Sequence, residues 1–273
     1  MTSTTRPFAG TRIVVTGASS GIGREIAIRF ATLGCESMLV HFHRNQDGAN
    51  ETASSISKTG CDASIASCDF SDAQQASDFV DAAFAKLTRV DVWIHCAGAD
   101  VLTGEAGGWS FERKLRHLIN VDVIGSIQTG RRVGALMKSQ ARASSEALSD
   151  PSAPPSIALI GWDQASQGME GDAGQMFGPV KAAVEAFAKS LAQDLAPQVR
   201  VNTILPGWIQ TQWGESTSEY WNRRAGGQSL MHRWGTPADV AAAAAYVSNP
   251  CHTFVTGQSI EVNGGWNRKF TGG

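Results

Sequence analysis

A glycine-rich segment near the amino terminus has the clearest chemical use in the sequence. Residues 16–23 read TGASSGIG and stand between a short apolar run and a segment of helical period. Glycines allow a tight turn and a close approach of the backbone to a pyrophosphate, and the free N–H groups of a helix start attract the anion. The segment predicts a dinucleotide-binding turn, whose expected contacts are Gly17, Ser19, Ser20, Gly21, Ile22 and Gly23.

The end of the second apolar run indicates which dinucleotide binds. NAD-binding proteins of this type place a carboxylate there to hold the ribose hydroxyls, whereas residues 41–45 read HFHRN and contain none. The guanidinium of Arg44 is a planar fork of donors that suits a 2′-phosphate, and His43 and Asn45 offer further hydrogen bonds. NADP(H) is therefore the predicted cofactor. The alternative is that His43 and Arg44 are only a solvated pair in a loop.

These residues require elements that bring them to one edge of a sheet, and a repeated β–α alternation supplies them. Short apolar runs alternate with segments of helical period, which is typical of a parallel sheet covered by helices. We predict an α/β, doubly wound Rossmann fold with a seven-stranded, mostly parallel sheet and helices on both faces. The predicted strands are 13–16, 37–42, 63–67, 90–95, 157–161, 200–204 and 259–262.

The helices between them are predicted from the same periodicity. Their expected bounds are 21–33, 49–58, 73–86, 112–143, 176–195 and 237–247. Residues 144–156 contain three prolines and are expected to form a loop. Right-handed crossovers place the carboxyl ends of the parallel strands along one edge, where open α/β sheets bind ligands.

Length and composition narrow the classes of function. A chain of 273 residues with a formal net charge of -2 fits one domain, 1–273, and gives no reason to expect nucleic acid or a membrane surface as a partner. The five cysteines lack paired spacing, so we expect no metal site and a reducing cytoplasm. We find no apolar stretch of about 18 residues, so no membrane span is expected.

Several motifs in chain order resemble those of the short-chain dehydrogenase/reductases, whose cofactor signature is TGxxxGIG. The match extends over nearly the whole chain. The other matching segments are CDFS at 68–71, HCAG at 95–98, IN at 119–120, PGWIQT at 206–211, RWGTP at 233–237, TGQ at 256–258 and VNGG at 262–265. The HFHR segment at 41–44 is also similar to the corresponding loop of pteridine reductases, which are NADPH enzymes.

The resemblance implies roles for further residues. Asn120 is implied to kink the fourth helix and to hold a proton-relay water, and Lys181 is implied to hold the nicotinamide ribose. The other implied cofactor contacts are Asp69 and Phe70 at the adenine, Cys96, Ala97 and Gly98 after the fourth strand, and Pro206, Gly207, Ile209 and Thr211 at the nicotinamide.

The positions that handle the proton in this family are changed. A tyrosine is expected four residues before Lys181, and Phe177 stands there. A serine is expected just after the preceding strand, where Trp162 stands, although a small insertion puts Asp163 or Ser166 in that role instead. Pteridine reductases carry an aspartate at this point but keep the tyrosine. A phenyl ring cannot transfer a proton, so the ordinary carbonyl reduction of the family is not expected.

Three interpretations remain open at this point. In the first, the protein is an NADP(H)-dependent oxidoreductase that acts on a small organic carbonyl, imine or pterin-like substrate and takes a proton from Asp163, Tyr220 or water. In the second, it is a pseudoenzyme or regulatory protein that binds NADP(H) without hydride transfer. In the third, the cleft performs a redox-neutral reaction and the dinucleotide is structural. Asn120, Lys181 and the nicotinamide loop at 206–211 match the family pattern and favour the first.

The segment 208–234 is the predicted substrate lid because it is rich in aromatic residues. Flat rings suit a planar substrate, and the alternative is that they pack against the core or a neighbouring subunit. The rings are Trp208, Trp213, Tyr220, Trp221 and Trp234. Trp266 and the tail after Gly265 fall where the resembling family makes subunit contacts, so a homotetramer or homodimer is expected.

Overall fold

A single parallel sheet organises the protein. The computed structural model describes residues 6–147, 153–211 and 218–267. The seven strands lie in the order β3-β2-β1-β4-β5-β6-β7, and each neighbouring pair is parallel. Their bounds are β1 Arg12–Val15, β2 Ser37–Phe42, β3 Asp62–Ser67, β4 Val92–His95, β5 Ser156–Ile160, β6 Arg200–Pro206 and β7 Ser259–Val262. The predicted doubly wound, seven-stranded fold is confirmed.

Helices cover both faces of this sheet. Among the described residues they are α1 Gly21–Thr32, α2 Gln46–Ser57, α3 Ala73–Leu87, α4 Phe111–Leu118, α5 Ser126–Ala147, α6 Gly171–Leu195, α7 Glu219–Gln228 and α8 Pro237–Ser248. Side chains alternate between the two faces along each strand. Ile13 and Val15 pack into one apolar cluster, whereas Val14 between them packs into the other. The central strands are thus buried on both faces, which explains apolar runs such as 13–15 and 92–94.

The predicted continuous helix over 112–143 is wrong in two respects. A π-helical segment, Ile119–Gly125, separates α4 from α5, and α5 continues to Ala147, into the predicted loop. Apolar periodicity does not distinguish a π-helical turn from an α-helical one, so the pattern could not reveal the wider turn. Gly125 allows close packing here, because a Cβ on it would lie 2.6 Å from the Phe70 carbonyl oxygen.

The boundaries of other helices also differ from the predicted ones. Helix α6 begins at Gly171, five residues before the predicted start, although Gly171 and Gly174 are poor helix formers. Helix α2 begins at Gln46 because the Asn45 side chain caps it. Helix α7, inside the predicted lid, was not predicted. Trp213, part of the loop after α5 and the last six residues lie outside the described residues.

Within 6–147, 153–211 and 218–267, the helices include none that is both long and apolar enough to cross a membrane. The same residues contain no group of three His, Cys, Asp or Glu side chains placed to hold a metal ion.

Candidate cofactor and substrate cleft

Three adjoining cavities follow the carboxyl edge of the sheet. A cavity of about 790 Å³ is lined by the glycine-rich turn and by the ends of β2 and β4. It shares His43, Arg44 and Ala97 with a cavity of about 560 Å³ beyond β3. On its other side it shares Ile22, Ile160 and Thr211 with a more apolar cavity of about 570 Å³. Together they form one elongated cleft, which we call the cofactor and substrate cleft.

The glycine-rich turn has no room for side chains at two of its glycines. Gly17 has a φ of +64°, and a Cβ on it would lie 2.9 Å from backbone atoms of Cys96 and Ala97. A Cβ on Gly23 would lie 2.3 Å from the Gly17 carbonyl oxygen. The turn is therefore packed backbone to backbone, while Ser19, Ser20, Gly21 and Ile22 line the cavity in front of α1. This is the geometry expected for holding a pyrophosphate at a helix start.

Two buried side chains, neither of them predicted, hold this turn in place. The Thr16 hydroxyl accepts hydrogen bonds from the N–H groups of Cys96 and Ala97, both at 3.0 Å. His41 Nδ1 accepts the Gly17 N–H at 3.0 Å, and its Nε2–H donates to the Cys68 carbonyl at 3.0 Å. Burial lowers the pKa of His41 to about 4, so the ring is neutral at pH 7 and keeps this donor–acceptor arrangement. The turn is thereby tied to β2 and β4.

The end of β2 presents the three residues predicted to select NADP(H). His43, Arg44 and Asn45 all line the cavity in front of the turn. His43 Nε2 lies 3.5 Å from an Asp69 carboxylate oxygen, and Asn45 Oδ1 accepts the Gly48 N–H at 3.0 Å as the cap of α2. The capping bond leaves the N–H groups of the Asn45 amide, which are the donors that an anion needs. Arg44 carries the charge best suited to a 2′-phosphate.

The far end of the cleft contains the residues predicted for the adenine. Asp69, Phe70, Ala97 and Gly98 line it, and Asp69 accepts hydrogen bonds from the Ser71 N–H and hydroxyl at 2.9 and 2.7 Å. Trp109 and Arg113 also line this end but were not predicted. The Arg113 guanidinium lies 3.9 Å from the centre of the Trp109 ring. Residue spacing did not indicate that the start of α4 would face the cleft.

Lys181 lies on α6 at the border of the apolar cavity and is held by a buried carboxylate. Its Nζ lies 2.9 Å from Asp122 Oδ2, and Asp122 has a relative side-chain exposure of 2%. Asp122 Oδ1 accepts the Ala99 N–H at 2.8 Å. The ammonium group also lies 3.5 Å from the Ile160 carbonyl oxygen. One ion pair thus joins the π-helical segment, the loop after β4 and the helix α6.

The structure does not place the Asn120 side chain at the cleft. Asn120 is exposed and lines none of the three cavities, whereas Asp122, two residues later, points inward to Lys181. In a helix, residues two positions apart face different sides.

Phe177 and Trp162 are close to each other in the apolar cavity, as their predicted places require. Their ring centroids lie 6.4 Å apart in an edge-to-face arrangement. Both line the cavity together with Lys181. Neither side chain carries a hydroxyl or a carboxyl group. The substrate end of the cleft is therefore lined by one basic residue, Lys181, and these two aromatic rings.

Asp163 points away from this cavity. It is 1% exposed, its Oδ2 accepts from the Asn263 amide at 3.2 Å, and its Oδ1 is buried without a hydrogen-bond partner among the described residues. Burial raises the pKa of Asp163 to about 6. Since Asp163 is absent from the described lining of the apolar cavity, the prediction that it supplies a proton there is not supported by its placement.

The loop after β6 forms another wall of the apolar cavity. Pro206, Gly207, Ile209 and Thr211 line it, as predicted. Gly207 packs tightly, because a Cβ on it would lie 2.6 Å from the Asn263 Cβ. The Gly207 N–H donates to the Val262 carbonyl at 3.0 Å, so β7 holds this loop in position.

The described part of the lid covers the cavity with three tryptophans. Trp208 lies 5.4 Å from Trp221 and 6.0 Å from Trp234 between ring centroids, and all three line the cavity. Arg224 on α7 forms a two-pronged ion pair with Glu170, just before α6, with Nη2 2.9 Å from Oε2. The Tyr220 hydroxyl accepts a hydrogen bond from Arg224 at 3.2 Å. Tyr220 is therefore directed to this ion pair, and it does not line the cavity.

Comparisons with known proteins agree with this architecture. A family model described as "Enoyl-(Acyl carrier protein) reductase" matches residues 17–267. The cyclohexanol dehydrogenase of Rhodococcus sp. is 30% identical over 276 residues, which cover 95% of this chain and 97% of that enzyme.

Solved structures show the same fold. A 7α-hydroxysteroid dehydrogenase complexed with NADH and 7-oxo glycochenodeoxycholic acid is 26% identical, with a TM-score of 0.83 over 99% of this chain and 100% of that one. A short chain dehydrogenase from Burkholderia cenocepacia in complex with NADP is 22% identical, with a TM-score of 0.81 over 95% of this chain and 98% of that one, and is alike in fold. With its glycine-rich turn, its lysine on α6 and a family match over most of its length, the chain belongs to the short-chain dehydrogenase/reductase family.

Proposed function

We propose that this short-chain oxidoreductase uses NADP(H) and acts on a small organic carbonyl, imine or pterin-like substrate without the family's tyrosine. One observation carries the proposal. The cleft runs without interruption from the glycine-rich turn, past Lys181, into an apolar cavity closed by the lid. Such a cleft accommodates a dinucleotide and a planar substrate end to end.

The residues of the cleft fit a dinucleotide. Gly17 and Gly23 leave no space for a Cβ, so the backbone at the start of α1 is open to a pyrophosphate. When bound, the nicotinamide would supply or accept a hydride. We assign Arg44 to the 2′-phosphate, Lys181 to the nicotinamide ribose and Thr211, with Ile209, to the nicotinamide. Three tryptophans of the lid form part of the apolar wall of this cavity.

The proton source departs from that of the family. Among the described residues that line the apolar cavity, only Lys181 and Thr211 carry an ammonium or a hydroxyl group. Asp163 and Tyr220 are directed elsewhere. We therefore propose that the substrate either takes its proton from Lys181 or water, or needs none.

The assembly and location follow the same family expectation. We propose a cytoplasmic homodimer or homotetramer. The proposal rests on the family resemblance of the chain's carboxyl-terminal region around Trp266. Light scattering of the purified protein measures the assembly directly.

The experiment that tests the function is a titration of the purified protein with NADPH and with NADH, followed by absorbance assays of NADPH oxidation with ketones, quinones, imines and pterins. Tight NADPH binding with oxidation by any of these acceptors supports the proposal. Binding without turnover favours a regulatory protein instead, and no binding removes the cofactor assignment.

Replacing Arg44 by alanine tests the choice of cofactor. We expect the free energy of NADPH binding to weaken by about 1.5–3 kcal/mol, the usual value of hydrogen bonds to a charged group, with NADH binding nearly unchanged. Calorimetric titration of both cofactors measures the difference. Substitution of Arg29, which lies on α1 away from the residues of the cleft, is the matched control. An equal loss for NADPH and NADH in the Arg44 variant would contradict the assignment.

A further inference from the structure

Five aromatic rings surround the apolar cavity, and we call them the aromatic box: Trp162, Phe177, Trp208, Trp221 and Trp234. They belong to the loop after β5, the helix α6, the loop after β6 and the lid. Aromatic faces carry a negative quadrupole and attract cations, tryptophan most strongly. A cavity lined by such rings has the chemistry of a site for an organic cation.

The charged groups at this cavity are compensated. The Lys181 ammonium pairs with Asp122, and the Arg224 guanidinium pairs with Glu170. Arg224 lies 5.3 Å from the Trp221 ring centre and 5.7 Å from that of Trp208, so these two rings already stabilise one positive charge. Since each cation has its own carboxylate, a third cation entering the box meets no net positive charge.

Compensation by Asp122 is the decisive part of this arrangement. With a neutral side chain at residue 122, the Lys181 ammonium would repel a cationic substrate across a cavity whose lining is mainly apolar. Asp122 is buried and makes its second hydrogen bond to the backbone of Ala99. Its carboxylate is therefore fixed beside the lysine.

A cationic substrate would also explain why this cavity lacks the family's proton donor. Reduction of a ketone or a neutral imine needs a proton as well as a hydride, whereas reduction of an iminium cation needs only the hydride. Phe177 and Trp162 offer no proton at the cavity.

We infer that the aromatic box binds a planar cyclic iminium cation as the substrate of the hydride transfer. The iminium carbon accepts a hydride from the reduced nicotinamide dinucleotide, and the π electrons of its C=N bond become the nitrogen lone pair. The products are a neutral tertiary amine and the oxidised cofactor, and no proton is taken up or released. The inference rests on the proposed function and names its substrate class.

Binding of a probe pair tests the site without any turnover. The NADPH-saturated protein is titrated by calorimetry with N-methylisoquinolinium and with 2-methylnaphthalene, its neutral isostere. We expect the cation to bind at least about tenfold more tightly, as a desolvated cation–π site requires. Equal or tighter binding of the neutral compound would overturn the inference.

Two variants separate the contributions. Asp122→Asn should weaken binding of the cation at least about tenfold, because Lys181 then lacks its counter-charge, and should leave the neutral compound unchanged. Trp162→Leu keeps the wall apolar but removes one ring face, so it should reduce the preference for the cation several-fold. Cation binding that is unchanged in both variants would show that the box does not hold the charge.

Turnover distinguishes the inference from the proposed function. The holoenzyme should oxidise NADPH with N-methyl-3,4-dihydroisoquinolinium faster than with 1-tetralone, at a rate that does not change between mildly acidic and mildly alkaline pH, since the substrate charge is permanent. Faster reduction of 1-tetralone, or cation binding without reduction, would overturn the iminium assignment and leave the cofactor site intact. Absence of NADPH binding would overturn the proposed function itself.

Discussion

Replacing Asp122 by alanine is expected to lower the free energy of unfolding by about 3–5 kcal/mol, the cost of leaving one partner of a buried ion pair alone. Lys181 Nζ would lose its contact at 2.9 Å, and the Ala99 N–H would lose its acceptor. Both losses occur at one point where three elements meet. Urea denaturation at neutral pH, with the slope compared to that of the unmodified protein, measures the change.

Two further variants show whether the charge is responsible. Asp122→Asn keeps an acceptor for the Ala99 N–H and should lose less stability than the alanine variant. Lys181→Met in the Asp122→Ala background removes the uncompensated ammonium and should restore part of the loss. The effect of Lys181→Met on stability is measured alone and in the Asp122→Ala background. If the two effects are equal, the two residues are not coupled and the expectation is wrong.

Replacing Asp163 by asparagine is expected to stabilise the protein at alkaline pH and to have little effect in acid. Burial raises the pKa of this carboxyl from 3.8 to about 6, so the folded protein holds the proton more tightly than the unfolded chain does. The stability contributed by this group is complete below about pH 4 and is lost as the pH rises through about 6. A shift of about two pKa units corresponds to about 3 kcal/mol.

The measurement is the unfolding free energy of both proteins across this pH range. The asparagine side chain stays neutral, so the difference between variant and unmodified protein should rise from near zero at about pH 4 to about 3 kcal/mol at about pH 8. Asp62→Asn, at an exposed position of β3, is the matched control and should show no comparable rise. A constant difference across the range would mean that Asp163 does not titrate differently in the folded state.

The parts of the site that depend on local chain geometry were predictable. A turn such as 16–23 needs glycine where φ is positive or backbones touch, and Gly17 and Gly23 meet those conditions. Because parallel strands end on one edge, Arg44, Gly98 and Thr211 were expected to share a cleft, and they do.

The inward residue of the π-helical segment was not predictable in the same way. A regular helix over 112–143 gives each residue a defined face, and the wider turn at Ile119–Gly125 changes those faces. Asn120 was assigned from its resemblance to the family's mid-helix asparagine, and nothing in the sequence indicated that Asp122 would point to Lys181.

The direction of a side chain in a loop could not be predicted from the sequence either. Asp163 follows a strand at the right edge, yet it bonds the half-buried Asn263 amide and does not line the cavity that Phe177 lines. Helix α7 depends on contacts far away in the chain, above all the pairing of Arg224 with Glu170. Such contacts depend on tertiary packing, which residue spacing does not report.

The π-helical segment also limits how this protein tolerates changes in length. A wide turn of this kind is equivalent to one residue inserted into a helix, and loss of one residue would rotate the following helix by about 100° relative to α4. Val133 and Met137 on α5 would then leave the core on that face of the sheet, or Asp122 would leave Lys181. A deletion here must therefore disrupt either the core or the ion pair. We expect proteins that evolve from this one to keep the length of the segment even where its residues change.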